Sequence, residues 1–157
     1  MKTIVVLALA ALSYAPLTMA GDKVVYPTEK VAEYIVEKLD ITSLPAAIRP
    51  KKEKGKKTFA DYGFTAQEVD EGKAIIRTAG GAMKLSIKVL DQRSSGIYAC
   101  ITQMGQNGGE AKMQSAIFLK KSGSNSLLKG RESWREFASC PVVGGTEKLS
   151  EVSAGGD

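Results

Sequence analysis

Histidine is absent from the 157 residues, cysteine occurs twice and tryptophan once. Without histidine there is no Ser-His-Asp or Cys-His nucleophile system and no imidazole ligand for a metal. The two cysteines, Cys100 and Cys140, enclose a loop of about 40 residues. They lack the C-x-x-C spacing of a redox pair, and zinc would need about four ligands. An even cysteine count in an exported chain is expected to form a structural disulfide. Phosphate-binding glycine motifs are also missing: there is no G-x-x-x-x-G-K-[ST] and no G-x-G-x-x-G at a strand–helix junction. Gly80-Gly81 and Gly108-Gly109 read as turn glycines.

Long apolar runs are scarce. The one of note follows Met1-Lys2 and spans about ten apolar residues, short of the roughly 20 that a transmembrane helix requires. Thr18 and Ala20 occupy the positions a signal peptidase inspects, so residues 1–20 read as a cleavable signal peptide. The expected destination is the periplasm or the extracellular medium. Residues 21–143 then form one α+β domain, and the small, polar residues 144–157 form a flexible tail.

Charge is present and unevenly placed. Beyond the first twenty residues there are 21 basic and 17 acidic side chains. The stretch Arg49–Lys57 alone holds Arg49, Lys51, Lys52, Lys54, Lys56 and Lys57 against Glu53. The basicity is therefore local, unlike that of a histone-like or ribosomal chain.

The helical signal lies early. Val31, Tyr34, Ile35 and Leu39 form one apolar stripe, with Thr28 placed to cap the helix. Pro45 and Pro50 then interrupt regular structure. From Tyr62 the period changes to two, and five strands are expected. They start near Tyr62, Lys73, Ala82, Gly96 and Lys112, and a two-residue turn at Gly80-Gly81 joins the second to the third. In the third, Met83, Leu85, Ile87 and Val89 oppose Lys84, Ser86 and Lys88, the pattern of a half-buried antiparallel strand. The segment from Leu127 to Pro141 is expected to contain a short helix with Trp134 and Phe137 facing inward. The fold class is thus α+β: an antiparallel meander of about five strands, one disulfide, and an N-terminal and a short C-terminal helix packed on one face.

Catalytic constellations are thin. Ser126-Leu127-Leu128-Lys129 matches S-x-x-K, but the K-T-G-like Lys121-Ser122-Gly123 precedes it, the reverse of the order in penicillin-recognising enzymes. Carboxylates near strand ends, Asp61, Glu68, Asp70 and Glu71, offer a minor reading as a small envelope hydrolase. The leading expectation is a non-catalytic binding protein of the cell envelope: an inhibitor, immunity or accessory factor. It requires no cofactor and no metal. Its partner-binding residues are Arg49, Lys51, Lys52, Lys54, Lys56 and Lys57 together with an exposed sheet face. The expected partner is a protein of unknown identity, acidic if the basic run is what meets it, with anionic envelope lipid as a second class and nucleic acid disfavoured by export. The simpler reading of the basic run is a solvated loop that keeps the sheet soluble. A small-ligand or lipid binder, with an apolar pocket between helix and sheet, is the alternative.

Overall fold

Eight residues form the one helix among those described: α1, Val31–Lys38. A helix this short does not hold itself together in water; the burial of Val31, Ala32 and Ile35 against the sheet holds it. Lys30, in a left-handed conformation (φ 50°), sits at its N-cap with no side-chain hydrogen bond, so Thr28 does not cap it. One of the open first-turn amides, Ala32 N–H, donates to the Glu71 carbonyl at 3.4 Å. The computed structural model describes residues 24–81, 83–104, 111–123 and 125–143. The expected signal peptide and C-terminal tail lie outside the described residues.

The chain leaves α1 directly into β1 (Leu39–Asp40) and a 3₁₀ turn over Ile41–Ser43. After a long connection come β2 (Phe64–Val69), β3 (Lys73–Thr78), β4 (Lys84–Arg93), β5 (Gly96–Met104), β6 (Ala111–Lys120) and β7 (Leu128–Glu132). All join one sheet in the order β1-β7-β6-β5-β4-β3-β2. Neighbours are antiparallel except β1 and β7, which are parallel. The sheet curls into a half-barrel.

The expected fold class is therefore corrected. The described residues form seven strands in a mixed sheet and one helix, not a five-stranded antiparallel meander between two helices. The segment assigned to a C-terminal helix begins as β7. There Leu128 and Gly130 face the core in period two, and a Cβ on Gly130 would lie 2.8 Å from Leu44 Cδ2. Beyond β7, Ser133 Oγ accepts from Arg135 N–H at 3.0 Å and closes a turn where a helix was expected. Trp134 is 77% exposed instead of buried. The β3–β4 connection is also longer than a two-residue hairpin: it runs from Thr78 to Lys84, with Gly81 alone of the two glycines at positive φ (66°).

Residue alternation divides the sheet cleanly. Ala74, Ile76, Leu85, Ile87, Ile97, Ala99, Ile101, Ile117 and Leu119 line the concave face, and all are buried. β1 and β2 are consecutive in the chain yet form opposite edges of the sheet, so residues 41–63 must cross the open side of the half-barrel. Ile41, Leu44, Ile48 and Phe59 of that crossing are buried and close the core. The space between helix and sheet, where an apolar pocket was envisaged, is filled by these side chains and by Val31, Ile35 and Leu39.

A disulfide joins Cys100 to Cys140. It draws residues 133–140 across the convex face over β5 and β6. There Phe137 stacks at 5.4 Å on Tyr98, and Arg135 donates to Asp91 at 2.7 Å. The convex face is thus covered over its middle, and no described segment crosses it on the β2–β4 side.

Candidate functional site

Register places most of the sheet's cations on the convex face. Cross-strand partners point to the same side. Lys73 opposes Lys88 and Arg77 opposes Lys84 across β3 and β4, flanking Ile75–Ser86. On the far side Lys120 opposes Lys129, and Arg131 opposes Phe118. Arg93 opposes Gly96 at the β4–β5 turn. The acids of this face are engaged or few. Asp91 takes Arg93 at 3.0 Å and Arg135 at 2.7 Å. Buried Asp40 takes Lys129. Glu68, opposite Ile75, makes no salt bridge with a described residue. Among the described residues Lys73, Arg77, Lys84 and Lys88 have no carboxylate partner within 4.0 Å.

Ser86 is buried although it sits on this outer face. Its strand partners on either side are Ile75 and Thr102, both also buried. Sequence alternation had already put Lys84, Ser86 and Lys88 on an exposed face. What alternation in one strand cannot reveal is that β3 sets Lys73 and Arg77 directly opposite them.

The basic loop is ordered by its neighbours. Tyr62 Oη accepts from Glu53 N–H at 3.0 Å and donates to the Lys51 carbonyl at 3.1 Å. Asp61 Oδ2 accepts from Lys57 N–H at 2.9 Å and Thr58 N–H at 2.8 Å. The amides of Thr58 and then Lys57 hold the Asp61 carboxyl below its ordinary range. Lys57 in turn accepts from Ile41 N–H at 2.8 Å, tying the loop to the end of β1. Lys56 pairs with Glu53 at 2.7 Å and lies over the Tyr62 ring. Lys51, Lys52, Lys54 and Lys57 are exposed, and Arg49 is half-buried. Because β2 starts just beyond the loop and Phe64 opposes Thr78, the loop sits at the end of the sheet that carries Arg77 and Lys84.

Two of the carboxylates considered for hydrolysis, Asp61 and Asp70, have structural work. Asp61 closes the turn just described. Asp70 Oδ1 accepts from Gly72 N–H at 3.1 Å and Lys73 N–H at 2.7 Å, forming the β2–β3 turn. Asp70 and Glu71 share a shallow groove with Glu29 and Glu33 at the start of α1, and Glu68 lies on the convex face away from it. The S-x-x-K residues also part company. Ser126 Oγ accepts from Ser122 N–H and Gly123 N–H, whereas Lys129 reaches Asp40. No helix among the described residues is long and apolar enough to cross a membrane.

No family model matches the chain, and neither a curated protein nor a solved structure matches it.

Proposed function

We propose that the protein is an exported, non-catalytic binding protein that docks an acidic protein surface against the cationic half of its convex face. The observation that carries this reading is the pair of like-charge oppositions Lys73–Lys88 and Arg77–Lys84. Like charges directly opposite on a sheet destabilise it by up to about 1 kcal/mol a pair, and no described carboxylate lies within 4.0 Å of these four side chains. Other cations of the sheet do meet carboxylates: Lys129 meets Asp40, and two arginines meet Asp91. A docked acidic surface would supply the missing counter-charge. The basic loop at the Arg77–Lys84 end extends the field and speeds association. Its hydrogen bonds to Tyr62 and Asp61 limit the entropy lost on docking. The disulfide is consistent with an oxidising compartment.

The test is affinity capture from the native cell envelope, with amide hydrogen exchange on the captured complex. A variant carrying Ser at 73, 77, 84 and 88 is run beside the wild type. The expected result is one acidic protein captured by the wild type, released by moderate salt and lost from the variant, with protection on β3 and β4. Capture that survives both salt and the variant would overturn the reading.

A further inference from the structure

A second cationic feature lies apart from the β3–β4 face, at the outer ends of β6 and β7. A groove of about 540 Å³ opens there, lined by Val24, Phe118, Lys120, Lys129 and Arg131 among others. This volume falls within the range of small-molecule sites. We propose that the groove binds an amphiphilic anion: one carboxylate or phosphate head on a short apolar chain. The proposal does not rest on the docking of an acidic protein.

The head-group end follows from which cations are already neutralised. Lys129 reaches the buried carboxylate of Asp40, which takes its charge. Lys120, directly opposite it, and Arg131 have no carboxylate partner among the described residues. The Arg131 guanidinium lies 5.1 Å from the centre of the Phe118 ring. This cation–π contact leaves guanidinium N–H groups for a carboxylate or phosphate, which arginine can hold through two parallel hydrogen bonds. Among the described residues no carboxylate lines the groove to compete for them.

The apolar end follows from the floor. Phe118 is fixed by Tyr98 at 4.8 Å and lies over Gly96, where a side chain would collide with the ring. Val24 lies beside it, held there by the chain at Tyr26, whose hydroxyl accepts from Lys121 N–H at 3.1 Å. A simple inorganic anion would leave this apolar surface wet, and an uncharged chain would leave the Arg131 fork unanswered.

Calorimetric titration of the full chain, expressed with its own N-terminal segment, tests this with four monomeric probes: octanoate, octyl phosphate, 1-octanol and inorganic phosphate. Amide shifts at Phe118, Lys120 and Arg131 report the location. Saturable binding of octanoate or octyl phosphate is expected, at least tenfold tighter than 1-octanol or inorganic phosphate. The preferred head distinguishes a free fatty acid from a phospholipid source. Arg131→Leu and Lys120→Ser should each weaken it at least tenfold, Arg131→Lys should give an intermediate loss, and Lys84→Ser with Lys88→Ser should leave it unchanged. Near-UV circular dichroism checks that each variant is folded. Equal binding of 1-octanol, no saturation with either octyl anion, or indifference to both Arg131 substitutions would overturn the proposal.

Discussion

The carboxylate of Asp40, 2% exposed, is capped by the ammonium of Lys129, which lies 89 residues further along the chain and is itself 57% exposed. The pair fastens β1 to β7, the parallel join of the sheet. Thr42 adds two hydrogen bonds to the other carboxylate oxygen, at 3.1 and 2.6 Å. Ser43 Oγ, accepting from Gly130 N–H at 2.7 Å, secures the same junction.

The arrangement is asymmetric, and so are the expected effects. Lys129→Ala strands a buried carboxylate and should lower stability by about 1–3 kcal/mol. Asp40→Asn leaves a cation that water can reach and should be the milder change. Combining Asp40→Asn with Lys129→Met should recover part of the loss, because an uncharged pair has no desolvation penalty. Denaturant titration of the three variants measures this.

Burial pushes the Asp40 carboxyl up, but Lys129 and Thr42 outweigh it and hold the group below its ordinary 3.8. Asp91 is also lowered, first by its hydrogen bond from Arg93 and, against the opposing effect of burial, also by Arg135. A folded-state pKa below the unfolded one stabilises the protein above the unfolded value. That contribution is lost as pH falls through the folded value. Stability from both groups should thus be level above about pH 5 and decline below about pH 4. The decline should be shallower in Asp40→Asn.

The cation oppositions give a test of stability that is independent of any partner. Lys88→Glu places an acid opposite Lys73 and should raise stability by about 0.2–1 kcal/mol in low salt, while weakening capture of the acidic partner. Thermal unfolding at low and high ionic strength separates the two effects. A loss of stability in low salt would count against like-charge strain at this pair.

The disulfide closes a loop across 40 residues. In the chain-entropy model this corresponds to roughly 4 kcal/mol. Replacing Cys100 and Cys140 by Ala should lower the unfolding midpoint in denaturant and raise hydrogen exchange over residues 133–140, leaving β3 and β4 protected.

Gly96→Ala should be among the more damaging single-methyl additions. The new Cβ would lie 2.5 Å from the Leu119 carbonyl oxygen and 2.6 Å from Phe118 Cζ. The carbonyl cannot move without disturbing the β5–β6 ladder, so a loss of about 1–3 kcal/mol is expected from overpacking. The same change should displace Phe118 and weaken binding of octyl anions in the groove.

The parts of the fold that could be read from the chain are those with local causes. The α1 stripe and the alternation in β3 to β6 depend on neighbours three, four or two residues away. The pairing of two cysteines follows from their even number and spacing, and the charge of the basic loop is visible in its composition. Distant contacts decided the rest. β1 is two residues long and carries no periodic signal; it is a strand because Asp40 meets Lys129. Leu128–Glu132 reads locally as the start of a helix, yet pairing with β6 and the contact of Gly130 with Leu44 make it extended. Trp134 is exposed, while Cys140, Arg135 and Phe137 of the same segment are the residues fastened to the sheet. The grouping of Lys73 and Arg77 with Lys84 and Lys88, and of Arg131 with Phe118 and Lys120, is a matter of register. Composition alone could therefore indicate a basic loop, but pairing between strands was needed to gather the other cations onto one face.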